Sequence, residues 1–365
     1  MELVTGELIV SIDPDNKTVT SYKGRQENYD KLVLATGSGA LVPPIKGVEK
    51  QGVFVYRTIE DLEAIIAYSK QCKKAAVLGG GLLGLEAAKA MLDLEQETHV
   101  IEFAPRLMPR QLDQAGSDAL ASKMAELGVN LHTSKNTANI AGEGKITGLE
   151  FADGSNLDVD MLVISCGISP RTELAESAGL EAGARGGFVV NNELQTSNKD
   201  IFAIGECALH GGMIYGLVAP GYEMADVVVQ QLIEGEEKLF PGYDMSTKLK
   251  LIGVDVASFG DPFCETEEHR AIVFEDKLTS IYKRINVSKD GKKLLGGILV
   301  GDAEAYNLLL QITLNDMPLP PNPEDLILGS RGGESEQMEL PDSAQICSCE
   351  DVTKGQICDA VKNDG

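Results

Sequence analysis

AAVLGGGLLGLEAAKAMLDLEQETHVIEF, residues 75–103, is the stretch of sequence that decides the fold class of this chain. An apolar run ends at Gly79, a pattern with helical periodicity follows, and a second apolar run ends at Glu102. Gly79, Gly81 and Gly84 have the spacing G-x-G-x-x-G. Alone, that spacing is often only a glycine-rich turn, but the order strand, turn, helix, strand and acid predicts a dinucleotide-binding βαβ unit.

Each part of such a unit has a physical role. The first glycine permits a tight turn, the second lets backbone approach a pyrophosphate, and the third lets the helix pack on the strand. The helix N-terminus adds unpaired N–H groups and partial positive charge. Glu102 can bind a ribose 2′-hydroxyl and repel a 2′-phosphate, which favours NADH, while Arg106 and Arg110 nearby limit that preference. The predicted NAD(P)H-binding residues are Gly79, Gly81, Leu82, Leu83, Gly84, Glu102, Arg110 and Gly167.

Glu86 stands two residues after the last glycine of the motif, and we predict that it lies in the first turn of the helix. A carboxylate there interacts favourably with the helix dipole without any further role. It can also contact the nicotinamide carboxamide. On the second interpretation Glu86 is the predicted catalytic residue.

Composition limits the partners of the chain. With 56 acidic and 32 basic side chains the formal net charge is −24, so we expect neither nucleic acid nor a membrane as partner. The first residues lack a basic segment followed by an apolar signal core, and we expect a cytoplasmic protein. The odd number of cysteines, mostly dispersed, indicates reduced thiols, and the histidines lack metal-ligand spacing.

A short internal repeat indicates a second nucleotide-binding domain. Residues 29–37 and 158–167 share an aspartate, an apolar run and a final glycine. Only the second copy has a glycine motif upstream, so we expect the chain to begin inside its first domain. Gly205-Glu206, after a buried strand, can bring a carboxylate to the ribityl or pyrophosphate arm of a flavin; a solvated turn is the alternative.

The helix expected just after Pro220 also bears on this flavin site. Its N-terminus, aimed at the pyrimidine edge, would stabilise the anionic reduced ring, but an ordinary proline-initiated helix start is nearly as good an interpretation. The predicted FAD-binding residues are Thr36, Gly37, Gly205, Glu206 and Ala219.

Cysteines recur near the C-terminal end of the sequence. Cys347 and Cys349 stand one residue apart, and two thiolates at that spacing can ligate the same iron–sulfur cluster. A flexible tail with incidental cysteines is the alternative. Cys358 could only be a third ligand, so a complete four-cysteine set is not present in this stretch; the family resemblance given below implies that Cys347 and Cys349 are two of the four ligands.

The predicted fold is α/β, with two Rossmann-like FAD/NAD(P)-binding domains, the FAD domain lacking its N-terminal part, and an α+β C-terminal domain. The predicted domains are 1–53 (partial FAD-binding), 54–170 (NAD(P)H-binding), 171–243 (return segment of the FAD-binding domain), 244–317 (C-terminal domain), 318–343 (linker) and 344–365 (start of an iron–sulfur module).

The chain resembles the two-dinucleotide-binding-domain flavoprotein reductases and, within them, the family of NAD(P)H-dependent nitrite reductase large subunits. The segments that carry the resemblance are 56–62, 79–87, 100–108, 131–137, 204–208, 249–255 and 345–349. The resemblance implies that hydride passes from NADH to FAD and that single electrons continue through 2Fe-2S and 4Fe-4S centres to sirohaem, where nitrite becomes ammonia.

The resemblance also implies parts that this sequence lacks. The first glycine motif of the FAD domain is expected upstream of Met1. The second cysteine pair of the 2Fe-2S module and the 4Fe-4S and sirohaem domains are expected beyond Gly365. We therefore expect an internal fragment, incomplete for turnover. Its implied partners are the remaining domains and the small subunit of nitrite reductase, and the strand-rich region 249–300 could join two copies in a homodimer.

Two alternatives remain open at this point. One is a stand-alone NADH:ferredoxin or NADH:rubredoxin reductase, which would need no cysteine tail. The other is a catalytically silent NADH-binding fragment, because the missing first motif should cost most of the FAD affinity.

Overall fold

The computed structural model describes residues 2–234, 238–251, 253–264, 268–329, 340–347 and 352–364. Two compact units divide the chain. The first is Met1–Gly39 with Ile168–Tyr243, and the second is Ala40–Gly167 with Asp244–Gly365.

The N-terminal strands are β1 (Ile9–Asp13), β2 (Thr18–Ser21), β3 (Gln26–Asn28), β4 (Leu32–Leu34) and β5 (Ser38–Ala40). Next come β6 (Val53–Val55), α1 (Ile59–Ser69), β7 (Lys74–Leu78), α2 (Leu82–Asp93), β8 (Glu97–Ile101), α3 (Gln114–Glu126), β9 (Asn130–His132), β10 (Thr137–Ala141), β11 (Gly148–Phe151), β12 (Asn156–Asp158) and β13 (Met161–Ile164).

The chain then returns to the first unit with β14 (Ile168–Pro170), α4 (Leu174–Ser177), β15 (Phe188–Val190), β16 (Ile201–Ala203), β17 (Ala208–His210) and α5 (Val218–Val229). The elements that follow are β18 (Thr247–Leu251), β19 (Val254–Gly260), β20 (His269–Asp276), β21 (Ile281–Ser288), β22 (Leu294–Val300), α6 (Tyr306–Leu314), α7 (Asp325–Leu328), β23 (Gln345–Cys347), β24 (Val352–Thr353) and α8 (Lys354–Asp364).

A five-stranded parallel sheet in the order β6-β13-β7-β8-β9 forms the centre of the second unit. All four residues of β13 are buried, as are all but the first residue of β7, which is typical of a parallel sheet covered on both faces. The predicted order of strand, turn, helix and strand in residues 75–103 is confirmed as β7, α2 and β8. The α/β fold class is confirmed with it.

Local chemistry explains two further elements that the sequence pattern predicts, a hairpin over residues 8–20 and a helix over residues 58–68 with Thr58 as its N-cap. The hairpin of β1 and β2 turns where the Asn16 amide donates to Asp13 Oδ1 at 3.0 Å. Helix α1 begins after Thr58, whose hydroxyl accepts from the Asp61 amide while the Asp61 carboxylate accepts from the Thr58 amide. Both elements lie where the sequence predicts them.

The internal repeat of residues 29–37 and 158–167 corresponds to two equivalent strand ends. β4 pairs in parallel with β16 and is followed by Gly37 at φ +65°, while β13 is followed by Gly167 at φ +108°. Backbone in this left-handed region favours glycine. Each copy of the repeat is therefore a strand that turns at a glycine, but only β13 is fully buried, because Val33 of β4 is exposed.

Two helix starts differ from the sequence prediction. Helix α5 begins at Val218 and includes Pro220 in its first turn, where the missing N–H costs no intrahelical bond. The apolar pattern of residues 303–314 predicts a second helix, which begins only at Tyr306, because buried Ala303 lies in the turn that precedes it.

The C-terminal domain is an antiparallel sheet in the order β18-β19-β22-β21-β20. Its core includes α6 and Ile327 of α7, so residues 318–329, which the sequence assigns to a linker, partly pack on this domain. Another group of its side chains, including Val256, Ile298 and Val300, shares one core with the parallel-sheet region. The parallel-sheet and C-terminal regions are therefore joined by continuous apolar packing.

A polar cluster around Asp113 strengthens this junction. Asp113 caps α3 by accepting from the Gly116 amide at 2.9 Å. Its other oxygen accepts from the Tyr282 hydroxyl at 2.6 Å and from Arg284 Nη1 at 2.9 Å. Burial, and next the hydrogen bond to Asp113, raise the pKa of Tyr282. One carboxylate thus holds the start of α3 and strand β21 together.

We expect Asp113→Ala to lower the free energy of unfolding by about 3 kcal/mol, because it removes the cap and leaves Arg284, at 18% side-chain exposure, without its carboxylate. Asp118→Ala, on the exposed face of the same helix, is the control and should cost less than about 0.5 kcal/mol. Urea unfolding measures both. Equal losses in the two variants would contradict the role given to Asp113.

Candidate functional site

The turn after β7 is closed by contacts that leave no room for side chains. Gly79 has φ +119°, and a Cβ built there would lie 2.2 Å from the Ser165 carbonyl oxygen. A Cβ at Gly84 would lie 2.0 Å from the Gly79 carbonyl oxygen. Both positions therefore require glycine for close backbone packing.

Gly81 differs from its two neighbours in the motif. A Cβ built at Gly81 has no atom within 4 Å, so the space above it is open. Gly81 is the N-cap of α2 and offers no side chain to the first N–H groups of the helix. An open space at an uncapped helix N-terminus fits the pyrophosphate of a dinucleotide. Leu82 and exposed Leu83 form the first residues of that helix.

The Glu102 carboxylate is fixed at the end of β8 by backbone donors. Glu102 Oε2 accepts from the Gly80 amide at 2.6 Å, and Oε1 accepts from the Ala104 amide at 2.7 Å. A Cβ at Gly80 would lie 3.0 Å from Glu102 Oε2 and 2.8 Å from Leu107 Cδ2. Gly80, the middle glycine of the GGG run, thus donates a hydrogen bond to Glu102, a role that the sequence did not reveal.

Arg106 and Arg110 have different surroundings. Arg106 donates from Nε to the Leu112 carbonyl at 3.0 Å and from Nη2 to the Pro109 carbonyl at 3.4 Å. Arg110 is exposed. The Arg106 guanidinium therefore stabilises its own loop, which weakens the argument that it attracts a 2′-phosphate.

Glu86 does not lie in the first turn of its helix, and that prediction was wrong. Helix α2 begins at Leu82, so Glu86 is its fifth residue, and the first turn contains no acidic side chain. Glu86 is exposed and near half-buried Tyr56, whose pKa is raised by burial and then by the charge of Glu86. The helix-dipole interpretation loses its basis.

Cys166 lies beside the glycine turn in a protonated state at neutral pH. Burial, and next the charge of Glu102, raise the pKa of its thiol to about 11, and its Sγ lies 3.4 Å from the Leu78 carbonyl oxygen. A thiol of that pKa is a poor nucleophile. The adjacent Gly167 is the predicted nucleotide contact and adopts the left-handed backbone described above.

The predicted flavin-binding residues lie in the first unit. Ser38 donates to Glu206 Oε2 at 2.5 Å, and the Thr36 hydroxyl donates to the Arg171 carbonyl at 2.7 Å. Gly37 and Gly205 both have positive φ, and a Cβ at either would meet no atom within 4 Å. Ser38 and Arg171 were missed in the sequence because their partners lie far along the chain.

Helix α5 begins beside this cluster. Its N-cap, Leu217, gives no side-chain cap, and Ala219 is in its first turn. The Gly205 amide lies 3.3 Å from Met224 Sδ on the same helix. Left-handed glycines, a held carboxylate and an uncapped helix start together fit the arms of a flavin nucleotide.

The described residues also constrain other kinds of site. Cys347 is the last residue of β23, whereas Cys349 lies outside the described residues. Within the described ranges no three metal-ligating side chains converge on one point. His99 Nδ1 and His132 Nε2 lie 3.1 Å apart on neighbouring strands, and burial lowers the pKa of both. No spacing in the sequence indicated that pair.

Two open depressions lie beside β6, with volumes of about 420 and 330 Å³. Val53 and Phe54 border both, and none of the predicted cofactor-binding residues lines either one. Among the helices that the model describes, none has the length and apolar character needed to cross a membrane.

Comparison with known proteins places these features in context. A family model described as pyridine nucleotide-disulphide oxidoreductase matches residues 1–231, and one described as rubredoxin NAD+ reductase C-terminal domain matches residues 246–315. The chain is 51% identical to the nitrite reductase (NADH) large subunit of Escherichia coli and 52% identical to the nitrite reductase [NAD(P)H] large subunit of Klebsiella oxytoca, over 99% of its own length in each case.

The chain spans 43% and 38% of the length of those two relatives. Among solved structures, it is similar to a ferredoxin reductase from Rhodopseudomonas palustris, with a TM-score of 0.77 and 27% identity. That similarity covers 89% of this chain and 80% of the other.

The glycine turn predicts a contrast between two alanine variants. Gly84→Ala should lower the free energy of unfolding by more than about 2 kcal/mol, because its methyl group meets the Gly79 carbonyl. Gly81→Ala should cost at most about 1 kcal/mol, because its site is open and its φ of −86° suits alanine. Urea unfolding separates the two, and equal destabilisation would contradict the packing described.

Proposed function

The chain belongs to the pyridine nucleotide-disulphide oxidoreductase family, and on that premise we propose that it is the NADH-oxidising electron-transfer portion of a nitrite reductase large subunit. The family implies FAD and NAD(P)H as cofactors. Electrons would leave this portion through 2Fe-2S, 4Fe-4S and sirohaem centres, held largely in the remaining length of such a subunit, and would reduce nitrite to ammonia.

One observation carries this proposal: a tightly closed glycine turn, with open space above Gly81 at the start of α2, occurs in a chain that aligns over nearly its whole length with nitrite reductase large subunits. Gly81 and the start of α2 would bind the pyrophosphate, and Glu102 would bind the adenosine ribose. The exposed carboxylate of Glu86 would contact the nicotinamide end. Leu82, Leu83, Arg110 and Gly167 remain proposed contacts.

The charge around Glu102 favours NADH over NADPH. A 2′-phosphate would meet a carboxylate that two backbone amides hold in place. Arg106 is engaged with two carbonyl groups of its own loop, so it is a weak source of compensation. Selectivity for NADH then depends on Glu102, with exposed Arg110 as the nearby cation that opposes it.

On the flavin side, Glu206 would accept hydrogen bonds from the ribityl arm while Ser38 orients its carboxylate. Gly37 and Gly205 would allow close approach of the cofactor, and the start of α5 at Ala219 would stabilise negative charge. When bound, FAD supplies the capacity to accept a hydride and to release electrons singly. Cys347 and Cys349 would provide two of four cluster ligands.

A second function is favoured by one specific observation. Residues 246–315 match the C-terminal domain of rubredoxin NAD+ reductase, so a small electron-transfer protein could be the acceptor. The two functions differ in what they reduce. Nitrite reductase also implies the small subunit and the remaining large-subunit domains as partners, whereas a rubredoxin reductase needs neither.

We expect Glu102→Gln to lower the ratio of NADH to NADPH affinity about tenfold, because it removes the charge that repels a 2′-phosphate and weakens the acceptor for the 2′-hydroxyl. Titration of the fluorescence of each reduced nucleotide measures this ratio. Glu97→Gln, which changes an exposed carboxylate at the start of the strand that ends before Glu102, is the control and should leave the ratio unchanged. An unchanged ratio in Glu102→Gln would remove Glu102 from the site.

The activity itself is tested in a polypeptide of the relatives' full length that contains this chain. NADH oxidation with nitrite as acceptor should yield ammonia in the proportion that a six-electron reduction requires. Rubredoxin and ferredoxin, assayed in parallel, should be poor acceptors. NADH oxidation without ammonia would overturn the nitrite reductase proposal, and rapid rubredoxin reduction would favour the second function. A purified chain without bound flavin would support the silent NADH-binding alternative.

A further inference from the structure

Helix α6 carries a buried amide that the nucleotide and flavin sites do not use. The Gln311 side chain is 3% exposed, although glutamine is rarely buried to that degree. A buried amide is costly unless both its donor and its acceptor are paired. Its partners therefore indicate what the position is for.

Those partners belong to the segment that leads to Cys347. Gln311 Nε2 donates to the Gln345 carbonyl at 2.7 Å. Gln311 Oε1 accepts from Asn315 Nδ2 at 3.1 Å, and Asn315 Oδ1 accepts from the Ser343 hydroxyl at 3.3 Å. The Gln311 amide of α6 and the Asn315 amide at its C-cap thus bind the two ends of the tripeptide 343–345.

The middle residue of that tripeptide is fully enclosed. Ala344 is 0% exposed, so its methyl group contributes apolar contact between the two hydrogen-bonded ends. Its carbonyl accepts from the Lys354 amide at 2.8 Å, at the start of α8. The tripeptide therefore contacts α6 on one side and the start of α8 on the other.

Further bonds organise the segment around this contact. β23 pairs with β24 in an antiparallel ladder, with Cys347 opposite Val352. The Gly355 amide donates to the Asp342 carbonyl at 2.9 Å, and Lys354 Nζ donates to the Leu340 carbonyl at 2.6 Å. The hairpin that carries Cys347 is thereby attached to a helix that belongs to the core of the C-terminal domain.

We propose that Gln311 and Asn315 form a docking seat that fixes the Cys347-bearing hairpin on the C-terminal domain. They act as positioning residues, because Gln311 bonds to the Gln345 carbonyl and Asn315 bonds to the Ser343 hydroxyl. The covalent connection through residues 330–339 is then not the only restraint on the hairpin. The consequence for electron transfer rests on the proposed function: the seat would set where the cluster stands relative to the domain that precedes it.

Gln311→Met tests the seat in this chain, since methionine keeps the length of the side chain and removes both hydrogen-bonding groups. Hydrogen–deuterium exchange should become about tenfold faster in 341–347 and at the start of α8, with β19, β21 and β22 unchanged. Asn307→Met, at an exposed position of the same helix, is the matched control and should change neither region. Unchanged exchange in 341–347 would overturn the seat.

A uniform rise in exchange across β19, β21 and β22 would also overturn it, because Gln311 would then serve only the core of its own domain. Asn315→Ala provides a second, independent variant with the same expected pattern, and the double variant should be less than additive because the two amides share one hydrogen bond.

The positioning role is measured in the full-length polypeptide. Gln311→Met should lower turnover with nitrite severalfold while leaving the KM for NADH and the reduction of ferricyanide unchanged. Faster exchange with unchanged nitrite turnover would overturn the positioning role. If the unsubstituted protein produces no ammonia, the proposed function fails and the exchange measurement still decides the seat.

Discussion

The close approach of backbone at Gly79 and Gly84 is the constraint on which the rest of the structure depends. The Gly79 Cα faces the Ser165 carbonyl at the end of β13, and Gly84 faces the Gly79 carbonyl, at distances that exclude any Cβ. These two contacts bring β7, α2 and β13 to one point. Because the turn of residues 79–84 is closed by these contacts, the space above Gly81 stays open and the Gly80 amide reaches the Glu102 carboxylate.

Shared apolar cores and hydrogen bonds also connect the glycine turn with the hairpin that carries Cys347. The parallel-sheet region shares an apolar core with the C-terminal sheet, and Asp113 adds a hydrogen-bonded junction between α3 and β21. Helix α6 packs in the second core of that sheet and binds the tripeptide 343–345. Within the second unit, packed elements thus connect the glycine turn and the Glu102 carboxylate to the hairpin that carries Cys347.

Local patterns predicted much of the architecture. The Asp13–Asn16 turn, the Thr58 cap and the β7–α2–β8 unit depend on contacts between residues close in sequence, so periodicity and capping chemistry suffice for them. Glu86 was misplaced, since the helix start had to be known to within one residue. The start of α5 was missed for a similar reason, because Pro220 is tolerated inside a first turn.

By itself, the sequence determined that this chain has a dinucleotide fingerprint ending in an acid, a repeated strand–glycine unit and a cysteine-bearing tail. Short spacings encode these features, and steric and electrostatic rules for neighbouring residues interpret them. Only the tertiary structure decided that Gly80 and Ala104 hold Glu102, that Ser38 orients Glu206 and that Gln311 binds the tail. Apart from the Ala104 bond, these contacts join residues distant along the chain, which only folding brings within hydrogen-bonding distance.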